Sequence, residues 1–393
     1  MSEVFIVAAR RTAIGKFQGA LGNIAAADLG ATVIRAVLAG TALQPQDIDR
    51  VVLGHVLTAG AGQNTARQAA LRAGLPVEVP ATTVNMVCGS GLESVQLGAQ
   101  AIRLGEAQLV LAGGMESMSL APYCLPKARA GLRMGHATLV DTMISDGLWD
   151  AFGDCHMGIT AENLARRHGI GRDDQDAYAL QSQQRAIAAQ DAGRFEAEIT
   201  PVDLPVKGGQ TQPFLIDEQP RRDVQLASLT GLRAAFDKSG SVTAGNSSTL
   251  NDGAAALLLA SEAAVRKHNL PVLGRVAASA SAGVDPAYMG EGPVPASRHC
   301  LQKAGWTKDS LDLVEANEAF AVQALTVLRQ LELDPARVNV NGGAIALGHP
   351  IGASGARILV TLLHEMGRRK VARGLATLCV GGGQGIALAV ERS

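Results

Sequence analysis

Aromatic residues are scarce in this chain, at 3% of 393 positions: two Trp, three Tyr and seven Phe. A protein that stacks nucleic-acid bases needs such rings on its surface, so that class is disfavoured. An excess of either charge is also missing. Lys and Arg total 35 against 36 Asp and Glu, for a formal net charge of -1, which leaves no basic face for a nucleic-acid partner. Cysteine is sparse and odd in number. Cys88, Cys124, Cys155, Cys300 and Cys379 are widely spaced and fit neither a disulfide framework nor a zinc pattern. No metal site is expected, and free thiols fit a reducing compartment. The early apolar run Val4 to Ala9 is too short for a signal peptide or a membrane span, and Arg10 and Arg11 lie on the wrong side of it. It reads as a buried strand. The terminal Glu391-Arg392-Ser393 is not the peroxisomal tripeptide. A cytoplasmic enzyme without membrane or nucleic-acid partners is expected.

What is present in excess is glycine, 45 residues, or about 11% against an average near 7%. Such an excess without low complexity signals tight turns and close backbone approaches. With 47% hydrophobic and 18% charged residues the composition is globular, and the length implies two or three domains. Short apolar runs such as Val51-Val52-Leu53, Thr83-Val84-Asn85, Leu109 to Ala112, Leu313-Val314-Glu315 and Leu375 to Leu378 end near Gly or Asn and precede helical segments. Runs of this kind suit strands buried on both faces of a layered α/β protein. Helices are expected over Leu92 to Leu104 and Gly355 to Met366.

The architecture occurs twice. Val84-Asn85 and Val340-Asn341 each precede a Gly-rich turn, a helix, and a strand ending in paired glycines, Gly113-Gly114 and Gly381-Gly382-Gly383. The interval from Asn85 to Gly113 is 28 positions and that from Asn341 to Gly381 is 40, so the second copy carries about twelve more residues, including Gly348-His349-Pro350. After Gly383 the chain enters another apolar strand at once. After Gly114 the matching strand, Ala254 to Leu259, waits for a more polar insert of roughly 125 residues. Inserts of that size are functional lids or binding loops, decorative subdomains or oligomer contacts.

Few residues here are able to do chemistry. Cys88, in Cys88-Gly89-Ser90-Gly91, sits where a strand gives way to a helix. The helix dipole favours a thiolate there; a small buried Cys in a tight turn has the same pattern. His349, in Gly348-His349-Pro350-Ile351-Gly352-Ala353-Ser354-Gly355, reads as a base presented on a rigid turn or as a structural His. Cys379 closes a strand beside Val380-Gly381-Gly382-Gly383. By the internal repeat it shares a sheet end with Cys88 and His349, where ligands of α/β proteins bind. Two thiols without a metal partner point to nucleophile plus acid/base; a redox pair lacks the C-x-x-C spacing. Asn317, in Asn317-Glu318-Ala319-Phe320, positions a water or an oxyanion, or caps a helix.

Taken together and in order, Cys88-Gly89-Ser90-Gly91, Asn317-Glu318-Ala319-Phe320, Gly348-His349-Pro350 with Gly352 and Ser354-Gly355, and Cys379 with Gly381-Gly382-Gly383 resemble the thiolase family over essentially the whole chain. Ala244-Gly245-Asn246 extends the likeness into the insert. Ser119-Leu120-Ala121-Pro122-Tyr123, His156-Met157-Gly158 and the closing Gly-Gly-Gly-Gln-Gly turn resemble the biosynthetic branch, whereas Cys155 stands where relatives often carry an aromatic.

The resemblance implies two similar layered α-β-α-β-α halves with an inserted loop domain: 1–118 plus 245–270, 119–244 for the insert, and 271–393. It implies reversible condensation of two acetyl-CoA to acetoacetyl-CoA and CoA, with coenzyme A thioesters as substrates and no prosthetic group. Cys88 becomes acylated, His349 takes its proton, and Cys379 removes a proton from the second acetyl-CoA. One oxyanion hole uses His349 and a water on Asn317; the other uses the backbone N–H groups of Cys88 and Gly381. No phosphate-binding loop of the Walker type occurs, so the insert must hold CoA. By the likeness Arg221 meets phosphate, and Ser248, His156, Met157, Phe236, Ala244, Leu148, Ser228, Ala319, Phe320 and Met289 line the CoA and acyl site. Tyr123 to Asp141 resembles a tetramer-forming loop, which implies a homotetramer built as a dimer of dimers. A degradative relative preferring longer 3-oxoacyl chains and a non-catalytic lipid carrier are the alternatives. A decarboxylating ketosynthase would carry a second His in place of Asn317.

Overall fold

In the strand from Asn251 to Ser261 every residue is buried, yet alternate side chains belong to different cores. Ala255, Leu257 and Leu259 pack with Leu92, Val95, Ile358 and Leu362, whereas Ala254, Ala256, Leu258 and Ala260 pack with Val33, Ile34 and Val37. The period of two along a strand feeds two layers at once, which is why no polar alternation marks these runs. The computed structural model describes residues 3–206 and 208–392. Ser393 of the terminal tripeptide lies outside them, as do Met1, Ser2 and Lys207.

The main strands are β1 (Val4–Thr12), β2 (Arg50–Gly54), β3 (Ala81–Val84), β4 (Leu109–Ser117), β5 (Asn251–Ser261), β6 (Gly274–Gly283), β7 (Leu313–Ala316), β8 (Arg373–Val380) and β9 (Gln384–Glu391). They lie in the order β7-β8-β9-β6-β1-β5-β4-β2-β3 within an eleven-stranded mixed sheet. Its halves are joined where β1 meets β6, through Phe5↔Arg275 and Ile6↔Gly274. The main helices are α1 (Ala26–Ala39), α2 (Ser90–Arg103), α3 (Met157–His168), α4 (Arg172–Asp191), α5 (Pro293–Ala304), α6 (Ala321–Leu331) and α7 (Ile351–Arg369). Helices α2 and α7 share the central core with both halves of the sheet. Helix α1 covers the outer face of one half and α5 that of the other. The result is five layers, α-β-α-β-α.

Strands β4 and β5 are antiparallel neighbours in register from Asp252↔Ser117 to Ala260↔Leu109. Between them run α3, α4 and three two-stranded hairpins. Both central helices begin earlier than their sequence pattern indicates, at Ser90 and at Ile351. Gly91, Gly352 and Gly355 are poor helix formers, and tertiary packing overrides that weak preference. No described helix is long and apolar enough to cross a membrane.

Candidate active site

The starts of α2 and α7 are brought together by close backbone contact. A side chain at Gly114 of β4 would strike the carbonyl of Gly352, and one at Gly54 of β2 would strike Ser90 and the same carbonyl. The buried Glu116 carboxylate fastens this junction. It accepts the N–H groups of Gly352 (2.9 Å), Val56 and Leu57 (both 3.2 Å), and His55 Nε2 lies 3.2 Å away. A residue of one half thereby fixes the turn after His349 in the other.

Cys88 occupies the turn ahead of α2. The residue before it, Val87, has φ 45°. A β-branched residue in the left-handed region is strained, and such strain is held in place only by surrounding structure. Burial pushes the Cys88 thiol up to about 11, opposed by the N–H groups of Gly381 and of Cys88 itself. Desolvation thus outweighs the N–H groups that favour a thiolate, and the resting group is a thiol. The two N–H groups that reach the sulfur come from the two halves of the molecule and belong to residues expected in the same oxyanion hole.

His349 is buried, and its own N–H donates to Asn251 Oδ1 at 2.9 Å. Its Nδ1 lies 2.6 Å from Ser354 Oγ. Ser354 Oγ is also 2.9 Å from the Pro350 carbonyl, to which it donates its only proton. Ser354 therefore accepts from His349 Nδ1–H, and this network assigns Nε2 as the proton-accepting nitrogen. Burial, with a smaller contribution from the Arg357 guanidinium, lowers the imidazole to about 4. The side chain is a neutral base at physiological pH.

Cys379 is fully buried at the end of β8 and does not line the cavity described below. Burial and the neighbouring Cys88 hold its thiol far above the usual range. Asn317 is 1% exposed, and neither its Oδ1 nor its Nδ2 has a partner among the described residues. A buried amide with both ends unpaired is the signature of a water site.

Cys88, His349 and Gly381 share a cavity of about 520 Å³ with His156, Met157, Phe236, Met289, Ala319 and Phe320. Leu148, Arg221, Ala244 and Ser248 line it as well. The size suits a substrate arm of moderate length. His156 stacks on Phe236 with centroids 4.6 Å apart, and Phe236 meets Phe320 edge-on at 6.2 Å. The Ser248 N–H donates to the Ala319 carbonyl at 2.9 Å, fixing the segment that follows the insert against the turn that bears Asn317. Ser228 is not brought to this cavity. It is exposed, and its hydroxyl accepts the Gln225 N–H at 3.1 Å, capping its own short helix, while donating to Gln225 O at 2.6 Å. That local bond makes it a capping residue here.

Sequence reasoning passed over Glu116, Asn251 and Ser354 as supports, and Lys16, Phe17 and Gln219 as cavity residues. Only Ser354 carried a local signal, lying five residues after His349 and immediately before the expected helix. The others reach the site from elements distant in sequence.

Comparison with known proteins places these observations. The chain matches the thiolase N-terminal domain over residues 4–263 and the thiolase C-terminal domain over residues 270–392. It is 64% identical over 392 residues to a Pseudomonas aeruginosa protein named acetyl-CoA acetyltransferase, covering all of both chains. Among solved structures, the Bacillus anthracis acetyl-CoA acetyltransferase superposes with a TM-score of 0.97 at 44% identity. Human mitochondrial 3-ketoacyl-CoA thiolase does so with a TM-score of 0.97 at 46% identity. Each of these two comparisons covers 100% of this chain and 99% of the other. This chain belongs to the thiolase family.

Proposed function

We propose that this enzyme is an acetyl-CoA C-acetyltransferase, joining two acetyl-CoA into acetoacetyl-CoA and CoA by a reversible ping-pong reaction through acetyl-Cys88. The observation that carries the reading is the convergence, on one cavity, of a protonated thiol, a neutral imidazole with a fixed tautomer, and two backbone N–H groups at the sulfur.

His349 Nε2 takes the Cys88 proton as the sulfur attacks the acetyl carbonyl carbon. The tetrahedral oxyanion collapses and expels CoA thiolate. Cys379, which burial keeps a thiol, gives that thiolate its proton, the imidazolium formed in the same step offsetting the charge left on its sulfur. Imidazolium and Cys379 thiolate now face each other. The thiolate removes a methyl proton from the second acetyl-CoA, and the enolate oxygen is stabilised by His349 and the water on Asn317. The enolate carbon attacks acetyl-Cys88. The new oxyanion is held by the N–H groups of Cys88 and Gly381, each such donor being worth about 3 kcal/mol. Acetoacetyl-CoA leaves, and His349 returns its proton to Cys88. Protons and electron pairs balance without a prosthetic group or metal, so CoA thioesters enter only as substrates.

The P. aeruginosa relative's name supports the acetyl preference. The human 3-ketoacyl-CoA thiolase keeps a longer-chain degradative reading in play. A non-catalytic carrier would need neither the base nor the paired N–H groups. Leu120, Tyr123, Leu132, Met134 and Leu139 are exposed on the hairpin region expected to join dimers, which supports the homotetramer. Five unpaired cysteines support a reducing, cytoplasmic setting. Acid quenching after incubation with acetyl-CoA, followed by peptide mass mapping, tests the central claim. Acetyl mass is expected on Cys88, and stable label on Cys379 alone would overturn the assignment.

A further inference from the structure

The cavity opens through a rim of which sequence reasoning reached only Arg221. Lys16, Phe17 and Arg221 line it and are all exposed, whereas Cys88 and His349 lie deeper. The rim backbone is held from several directions. Gly15 and Lys16 pair with Asp252 and Asn251 of β5. The Lys16 N–H donates to Glu218 Oε2 at 2.9 Å, and the Ala20 N–H to the same oxygen at 3.3 Å. Phe17 N–H donates to Leu250 O at 3.0 Å, and the Glu218 N–H returns to Ile14 O at 3.0 Å. The segment bearing Arg221 is thereby fastened to the turn bearing Lys16.

The side chains are the opposite of the backbone. Among the described residues neither the Lys16 ammonium nor the Arg221 guanidinium has a hydrogen-bond or salt-bridge partner. The nearby Glu218 carboxylate is engaged by backbone N–H groups instead. Phe17 is 39% exposed. In a chain with seven Phe, three of them, Phe17, Phe236 and Phe320, line this one cavity.

We propose that Lys16 is a second phosphate contact for the nucleotide end of CoA, acting with Arg221, and that Phe17 offers its ring to the adenine. This rests on the acyl-CoA reading above. With the thioester at Cys88, the nucleotide end must reach the solvent-exposed rim. There two unpaired cations on a fixed backbone meet a phosphate without reorganisation, and an exposed ring gives a purine an apolar face. Lysine serves as a point charge and arginine as a fork.

The test is thiolysis of acetoacetyl-CoA by wild type and by the Lys16→Gln, Lys16→Arg and Phe17→Leu variants, with CoA, 3′-dephospho-CoA or pantetheine as acceptor. Lys16→Gln is expected to raise the KM for CoA roughly threefold to tenfold with little change in kcat, as for an exposed charge contact. The rise should shrink at high salt, be restored by Lys16→Arg, and vanish with pantetheine. If it persists with 3′-dephospho-CoA, the contact is to the diphosphate; if not, to the 3′-phosphate. Phe17→Leu should raise KM for both nucleotide acceptors and not for pantetheine. An unchanged KM for CoA in Lys16→Gln, or an equal rise with pantetheine, overturns the assignment of Lys16 alone. Wild-type enzyme that treats CoA and pantetheine alike overturns it together with the acyl-CoA reading.

Discussion

Gly91 and Gly355 form the crossing point of the two central helices. A Cβ on Gly91 would lie 2.7 Å from the amide nitrogen of Ala356, and one on Gly355 would lie 2.5 Å from that of Leu92. The relation is reciprocal, as the internal repeat requires: each helix leaves space for the backbone of the other. With side chains at either place the helices would stand apart, and the turns carrying Cys88 and His349 would separate with them. Glycine at these positions is a condition of bringing those two turns together.

Gly355→Ala should therefore be more harmful than its size implies. The new methyl meets backbone, which cannot rotate away, so a destabilisation of about 1–3 kcal/mol is expected. Urea unfolding measures it. A control is Gly105→Ala, which meets no neighbouring atom but sits at φ 77° and loses roughly 1 kcal/mol from backbone strain alone. In Gly355→Ala that remains folded, acylation of Cys88 should fall by about a hundredfold, since small misplacements of reacting groups are costly. Full activity in a stable variant would deny the crossing its role.

The acid limb of the acylation rate should lie near pH 4, where His349 gains a proton, and not near the usual histidine value. The same shift bears on stability. Between pH 6.5 and 4 the unfolded chain protonates this residue and the native protein does not. Unfolding is then favoured as pH falls through that window, and the contribution is recovered above it. Ser354→Ala removes the partner of Nδ1 and releases the tautomer, so kcat should drop by at least about tenfold with KM little changed. Stopped-flow release of CoA over the pH range measures both effects. An acid limb at the ordinary histidine value would show that the imidazole is not desolvated during reaction.

Cys379→Ser is expected to separate the two half-reactions. Acetyl transfer to Cys88 should continue at a reduced rate, because nucleophile and base are intact while the proton donor to the departing CoA thiolate is weakened. Condensation should fall by at least about two decades, the low end of acid–base assistance. Burst labelling with acetyl-CoA beside steady-state formation of acetoacetyl-CoA gives the comparison. Unimpaired condensation would remove Cys379 from the mechanism.

Met157 lines the cavity with its Cε 3.2 Å from where a Cβ on Gly381 would be, at what the proposed function makes the acyl end. An unbranched thioether fills space and yields to pressure. Activity should decline by steps from acetoacetyl-CoA to 3-oxohexanoyl-CoA and beyond, since one methylene is worth about 1–3 kcal/mol in such a pocket. Met157→Ala should flatten that decline and leave acetoacetyl-CoA turnover largely intact. Equal cleavage of 3-oxooctanoyl-CoA and acetoacetyl-CoA by the wild type would favour the degradative reading.

Local rules made much of this molecule legible. The apolar runs, their punctuation by glycine and the repeated order of strand, turn and helix mark a doubled layered fold, because each depends on neighbours along the chain. So did the placing of Cys88 ahead of one helix and His349 ahead of another. Other properties depend on what distant segments bring. The protonation states of Cys88 and His349 were decided by enclosure: burial, which only packing creates, is the largest cause of both shifts. Ser228 looked like a cavity residue and bonds within its own helix turn, since a hydroxyl is satisfied by the nearest acceptor. Glu116, Asn251 and Lys16 had no motif to announce them. Their partners at Gly352, His349 and Glu218 lie some 100 to 236 positions away, and the folded sheet is what closes those distances.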